Sequence, residues 1–248
     1  MKNNLAFVKT SLFVVFCFAV LFAGTEPKPL PKASVLVFSK TNGYRHKSIE
    51  PGIEAIKKLG AENGFAVEAT EDSLAFNSKN LKKFRAVIFL NPTLDVLGEE
   101  QQRAFEKYIQ AGGGFVGIHA AADCEYKWPW YVKLVGASFE SHPNQQDAKL
   151  TVLDHKHPST KHLPAVWERF DEWYNFKDMN PDVKVLISID ESSYKGGKNG
   201  TNHPMSWYHS YDGGRAFYTE FGHTDKSFSE PAFLQHLLGG INYAMGKK

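Results

Sequence analysis

The chain has 248 residues, 42% of them hydrophobic and 23% charged, with a net charge of +2 when its histidines are neutral. That size suits one α/β domain with a sizeable core. The near-even charge balance gives no footprint for a nucleic-acid or membrane-surface partner.

The N-terminus reads as an export segment. Lys2 and Lys9 precede an apolar run from Ser11 to Ala23. Gly24 and Thr25 follow, then a proline-rich stretch at Pro27, Pro29 and Pro31. A basic start, an apolar middle and a small-residue end make a signal peptide. The apolar run is short for a membrane span. The expected organisation is a signal peptide over 1–24, a linker over 25–33 and a folded domain over 34–246. The protein is expected to be exported, to the periplasm or beyond, with an uncleaved anchor as the alternative. Cys17 lies in the export segment, so Cys124 has no partner in the mature chain, and neither a disulfide nor a cysteine-rich metal site can form.

From Pro31 onward strands and helices alternate. The apolar run Ser34–Ser39 predicts a buried parallel strand. The polar loop Lys40–Lys47 leads to a helix with Ile49, Ile53, Ile56 and Leu59 at helical spacing, Pro51 in its first turn and Gly64 at its end. Further strands are predicted at Phe65–Thr70 and Ala86–Leu90, a helix at about Glu99–Ala111, and a fourth strand at Phe115–His119. Such alternation implies βαβ crossovers and a mostly parallel sheet. After Gly136 the pattern weakens. Strands are expected at Lys149–Leu153, Val183–Ile189, Met205–Tyr208 and Arg215–Glu220, and a last helix over about Glu230–Ala244.

Ligands of open α/β sheets bind beyond the carboxyl ends of the strands. His46 follows the first strand, His119 ends the fourth with Asp123 just after it, and Glu220 and His223 follow the last. The run Gly114–Asp123 has the form of a nucleophile elbow, a strand turning sharply through small residues. The tip residue is His119, where hydrolases and amidotransferases carry Ser or Cys. Cys124 is too far along to take that place. An imidazole there can act as acid, base or metal ligand. Aromatic content is high, at 14%. Trp128–Tyr131, Trp173–Phe176 and Trp207–Tyr208 are aromatic clusters of the kind that packs a core or faces a sugar ring.

These motifs together resemble the ThuA-like (trehalose-utilization) family. The resemblance rests on Gly43–Ile49, on Gly117–Ala121 with Asp123, and on Gly214–Thr219 with Gly222-His223. Asp154, His157-Pro158, Asp171-Glu172 and Tyr174 add to it, and it covers about Val35 to Met245. It implies a flavodoxin-like fold, with helices on both faces of the sheet, as in class I glutamine amidotransferases. It also implies the absence of the amidotransferase cysteine. Its context suggests a small-molecule carbohydrate as partner and a lyase or hydrolase acting on a sugar oxidised to the 3-keto form. The alternative is a non-catalytic sugar-binding or accessory protein.

Residue chemistry then distributes roles. His119 and His46 supply base and acid, or share a divalent metal such as zinc with His223, and Asp123 completes the catalytic set by orienting an imidazole or holding sugar hydroxyls. Glu172 orients an imidazole or holds sugar hydroxyls, and Trp128, Trp173 or Tyr174 stacks on a sugar face. His142 is a secondary candidate, matching a family position. His155, His162 and His236 are read as structural or surface residues, while His203 and His209 stay open.

Overall fold

The computed structural model describes Met1 and residues 33–247, so the expected signal peptide after Met1 and all but the last residue of the linker lie outside the described residues. None of the described helices is long and apolar enough to cross a membrane.

The first half is wound as the alternation predicts. Strand β1 (Ala33–Phe38) leads through the His46 loop to α1 (Ile49–Asn63), then to β2 (Phe65–Thr70), short α2 (Ser78–Leu81) and β3 (Ala86–Leu90). Helix α3 (Glu99–Gln110) returns the chain to β4 (Gly114–Ile118). Every side chain of β3 and β4 is buried, as expected of strands covered on both faces. Helix α4 (Pro129–Val135), β5 (Ser138–Ser141), β6 (Gln146–Val152), β7 (Val166–Asp171), β8 (Asn175–Lys177) and β9 (Lys184–Ile189) follow, then β10 (Pro204–Tyr211), β11 (Gly214–Thr219) and α5 (Pro231–Ala244).

Nine strands form one mixed sheet in the order β2-β1-β3-β4-β11-β10-β9-β6-β7. From β2 to β11 neighbours are parallel, and this 2-1-3-4-5 pattern is the flavodoxin-like winding. From β11 outward each pairing is antiparallel. Strands β5 and β8 make a separate pair. The pleat sorts the core into two layers. Phe115 in β4 meets Phe105 of α3 and Tyr131 of α4. On the other face, Cβ atoms at Gly114 and Gly240 would collide with the Ala244 carbonyl and the Phe217 ring, so α5 sits against the sheet at backbone distance.

A candidate metal centre at the strand ends

Strands β1, β4, β7 and β11 all point their carboxyl ends to one edge, and each releases one residue of a cluster there. These are His46 in the loop after β1, His119 after β4, Glu172 after β7 and His223 after β11. One nitrogen or oxygen from each lies within 4.8 Å of all the others. The three imidazoles form a near-equilateral triangle, with ring centroids 5.0, 5.0 and 5.1 Å apart.

The tightest contacts join His119 Nε2, His223 Nδ1 and Glu172 Oε2, at 3.2, 3.1 and 3.4 Å. Donors about 2.0–2.1 Å from a tetrahedral zinc stand roughly 3.3 Å from one another, so this triangle has the size of a coordination face. Nδ1 of buried His46 has no hydrogen-bond partner, an omission that a cation would repair. Nitrogen and carboxylate donors of this kind suit zinc or a similar divalent ion.

His119 is held at the bend. Its φ is +46°, a left-handed conformation that strains a residue with a Cβ by about 1–2 kcal/mol. It opens a single 3-10 turn, His119–Ala122, in place of a full helix. The turn is pinned from outside. Tyr218 donates its hydroxyl to the His119 carbonyl at 2.8 Å and Tyr131 to that of Ala121 at 2.9 Å. Asn91 Oδ1, at the end of β3, accepts from Ala120 N at 3.3 Å. The Asn91 amide also donates to Ser48 Oγ and to the Gly222 carbonyl, so one buried side chain ties three of the loops. The sequence marks Asn91 only as half of an Asn-Pro pair after a strand, which does not single it out.

The ring of His119 is fully buried, and its Nδ1 lies 2.7 Å from the Glu220 main-chain carbonyl. A carbonyl only accepts, so Nδ1 carries a hydrogen, and Nε2 is the nitrogen that would give up its proton to ligate an ion at the cluster. Burial alone would lower its pKa, but hydrogen bonds to Glu172 and Glu220 outweigh that and raise it to about 10. His46 goes the other way. Burial, helped by the charges of His119 and His223, lowers it to about 2, so it stays neutral. Burial opposes ionisation of Glu172, yet His119 and His223 hold its carboxyl well below the usual range. Burial pushes Glu220 up to about 7.

Above the cluster opens a cleft of about 310 Å³, lined by Tyr44, His46, Asp123, Phe139, His142, Gln145, Glu172, Tyr174 and His223. His142 Nδ1 lies 3.2 Å from Glu172 Oε1. Burial raises the Asp123 carboxyl, whose Oδ1 accepts from the Tyr126 hydroxyl at 2.5 Å. The Tyr174 ring lies against His119, centroids 4.2 Å apart. The Gln145 amide nitrogen lies 2.7 Å from His223 Nε2 at the rim of the cleft.

Two aromatic residues named from the sequence go elsewhere. Trp128 lies outside the cleft. It stacks on Trp130 and Tyr131, and its indole donates to Glu106. Trp173 is fully buried against Phe221. The aromatic faces at the cleft are instead Tyr44, Phe139 and Tyr174. His236 is wholly buried, as a structural reading requires, and His203 and His209 prove to be buried pins on the carbonyls of Tyr174 and Lys133.

The ThuA family profile, described as trehalose utilisation, matches residues 34–244. The chain belongs to this family. Two solved ThuA-like proteins agree with the assignment. One, from Bacteroides uniformis, is 28% identical, with 89% of this chain and 94% of that one covered and a TM-score of 0.75. The other, from Parabacteroides merdae, is 22% identical over 87% and 91%, with a TM-score of 0.71. At the level of fold alone, the ThuA domain is also similar to a GMP synthase component from Thermoplasma acidophilum, at 15% identity over 87% and 95% and a TM-score of 0.53. No curated protein sequence matches it.

Proposed function

We propose that this ThuA domain is an exported, metal-dependent enzyme, a lyase or hydrolase acting on a sugar in its 3-keto form. The observation that carries the reading is the His119–His223–Glu172 triangle at the floor of the cleft, completed by His46. A divalent ion held there would polarise a carbonyl oxygen as a Lewis acid.

The chain's own groups complete the chemistry. His119 is fully buried with both ring nitrogens engaged, and His46 is held neutral by burial, so both serve as ligands. Asp123 is the base, since a carboxylate raised by burial is the stronger proton acceptor. A keto group at C3 acidifies the C2–H bond. Asp123 takes that proton, the electron pair forms the C1–C2 double bond, and the bond from C1 to the glycosidic oxygen breaks. Doubly protonated, His142 holds its Nδ1–H against Glu172 Oε1 and the Pro143 carbonyl and gives its Nε2 proton to the departing oxygen, ending as the neutral ring. Water added later across the double bond gives net hydrolysis. Tyr44, Phe139 and Tyr174 offer aromatic faces to a sugar ring.

The rival reading is a sugar-binding module without turnover. It leaves unexplained why titratable groups from four distant segments converge on one point. Incubation with 3-keto-trehalose and related 3-keto glycosides, with and without a chelator, decides between them. Turnover that the chelator stops supports the enzyme. Binding without product, at any divalent metal concentration, leaves the module.

A further inference from the structure

Behind the cluster lies a buried ion pair that the proposed chemistry does not touch. Asp171, the last residue of β7, is fully buried. Its Oδ1 accepts from the main-chain N–H of Glu172 at 3.1 Å. Its Oδ2 accepts from the main-chain N–H of Gly222 at 3.1 Å, from Ser227 Oγ at 3.0 Å and from Arg169 Nη2 at 3.2 Å. One carboxylate therefore bonds the backbone of one cluster residue and the backbone immediately before another, His223. Arg169 is fixed in turn. It reaches Ser227 Oγ at 2.9 Å and Glu230 at 3.2 Å. Its guanidinium carbon lies 4.8, 4.7 and 5.1 Å from the ring centres of Trp167, Phe221 and Phe233. The rings face a cation whose Nε and Nη1 have no hydrogen-bond partner.

We infer that Asp171, braced by Arg169, is a positioning residue that sets the distance between Glu172 and His223. This rests on the reading of the cluster as a metal centre. Glu172 follows the outermost strand, whereas His223 follows the middle strand β11. Asp171 bonds both loops directly, so their separation does not depend on the intervening strands alone. Ligand supports of this kind typically change metal affinity by about 10–100-fold.

The test uses cobalt(II), whose absorption reports ligand geometry. Asp171→Asn is expected to weaken cobalt binding by about 10–100-fold and to alter the visible spectrum. Loss of a nearby negative charge would also weaken binding, so the deciding variant is Arg169→Met. If Asp171 acts only through its charge, removing the cation tightens cobalt. If the clamp positions the ligands, the same change loosens it. Tighter or unchanged binding in Arg169→Met overturns the proposal. If neither charge variant folds, Ser227→Ala deletes one donor to Asp171 and keeps both charges. It is expected to weaken cobalt by about threefold, a small share of the support range, and unchanged affinity and spectrum overturn the clamp. Wild-type protein that takes up no cobalt or zinc removes the metal reading itself, and the clamp with it. That result is distinct from normal wild-type binding with indifferent variants, which removes the clamp alone.

Discussion

His119 donates its Nδ1–H to the carbonyl oxygen of Glu220 at 2.7 Å, across 101 positions of sequence. That bond sets the tautomer, and the tautomer decides what the ring can do. The nitrogen facing Glu172 and His223 is the one that loses its proton first and is then free to ligate.

Replacing that ring separates ligation from folding. His119→Asn is the informative variant, because Asn tolerates the left-handed backbone found there. The protein is expected to stay folded by circular dichroism. Its zinc affinity should drop by more than about 100-fold, beyond what supporting residues command. Retained affinity in titration calorimetry would remove His119 from the ligand set.

Proton competition gives a second expectation. In the metal-free site His119 is held up to about 10 by Glu172 and Glu220. An incoming ion therefore displaces a proton throughout the neutral range. Zinc affinity should rise by up to about tenfold per pH unit between about pH 6 and 9. Calorimetry in buffers of different ionisation enthalpy should count about one proton released. Affinity independent of pH would show that the ring is already neutral.

His236 sets a signature in acid stability, far from the cleft. Burial lowers it to about 3 from 6.5. Between those values the unfolded chain binds a proton that the native protein refuses, so stability is lost as pH falls. The loss runs at about 1.4 kcal/mol per unit below 6.5. His236→Gln lacks this term. The difference in unfolding free energy between wild type and variant should therefore shift against wild type by about 2–3 kcal/mol from about pH 6.5 to 4.5. A constant difference in urea titrations would contradict this.

Trp128→Phe should affect stability alone. It removes the indole hydrogen bond to Glu106 and trims the stack with Trp130 and Tyr131, at a cost of about 1–2 kcal/mol. Zinc affinity and sugar binding are expected to stay at wild-type values. A selective loss of sugar binding would return Trp128 to the cleft.

The parallel half was legible because its strands are continuous apolar runs between helices of clear period. The rest was harder for physical reasons. Strand β7 alternates exposed and buried residues and contains buried Arg169, so its composition hides it. Strands β5 and β8 are four and three residues long, too short for any period to register. The three histidines could be grouped because each follows a strand of the sheet. Glu172 could be named but not placed among them, since its strand was not visible. Trp128 looked like a sugar platform because composition reports an aromatic cluster but not the direction it faces.

The cluster is drawn from positions 46, 119, 172 and 223, which span most of the domain. No fragment lacking either end of it, and no chain with the antiparallel half out of register, can bring all four together. Uptake of the ion would thus act as an inspection of the finished fold, with incomplete or misassembled chains left empty.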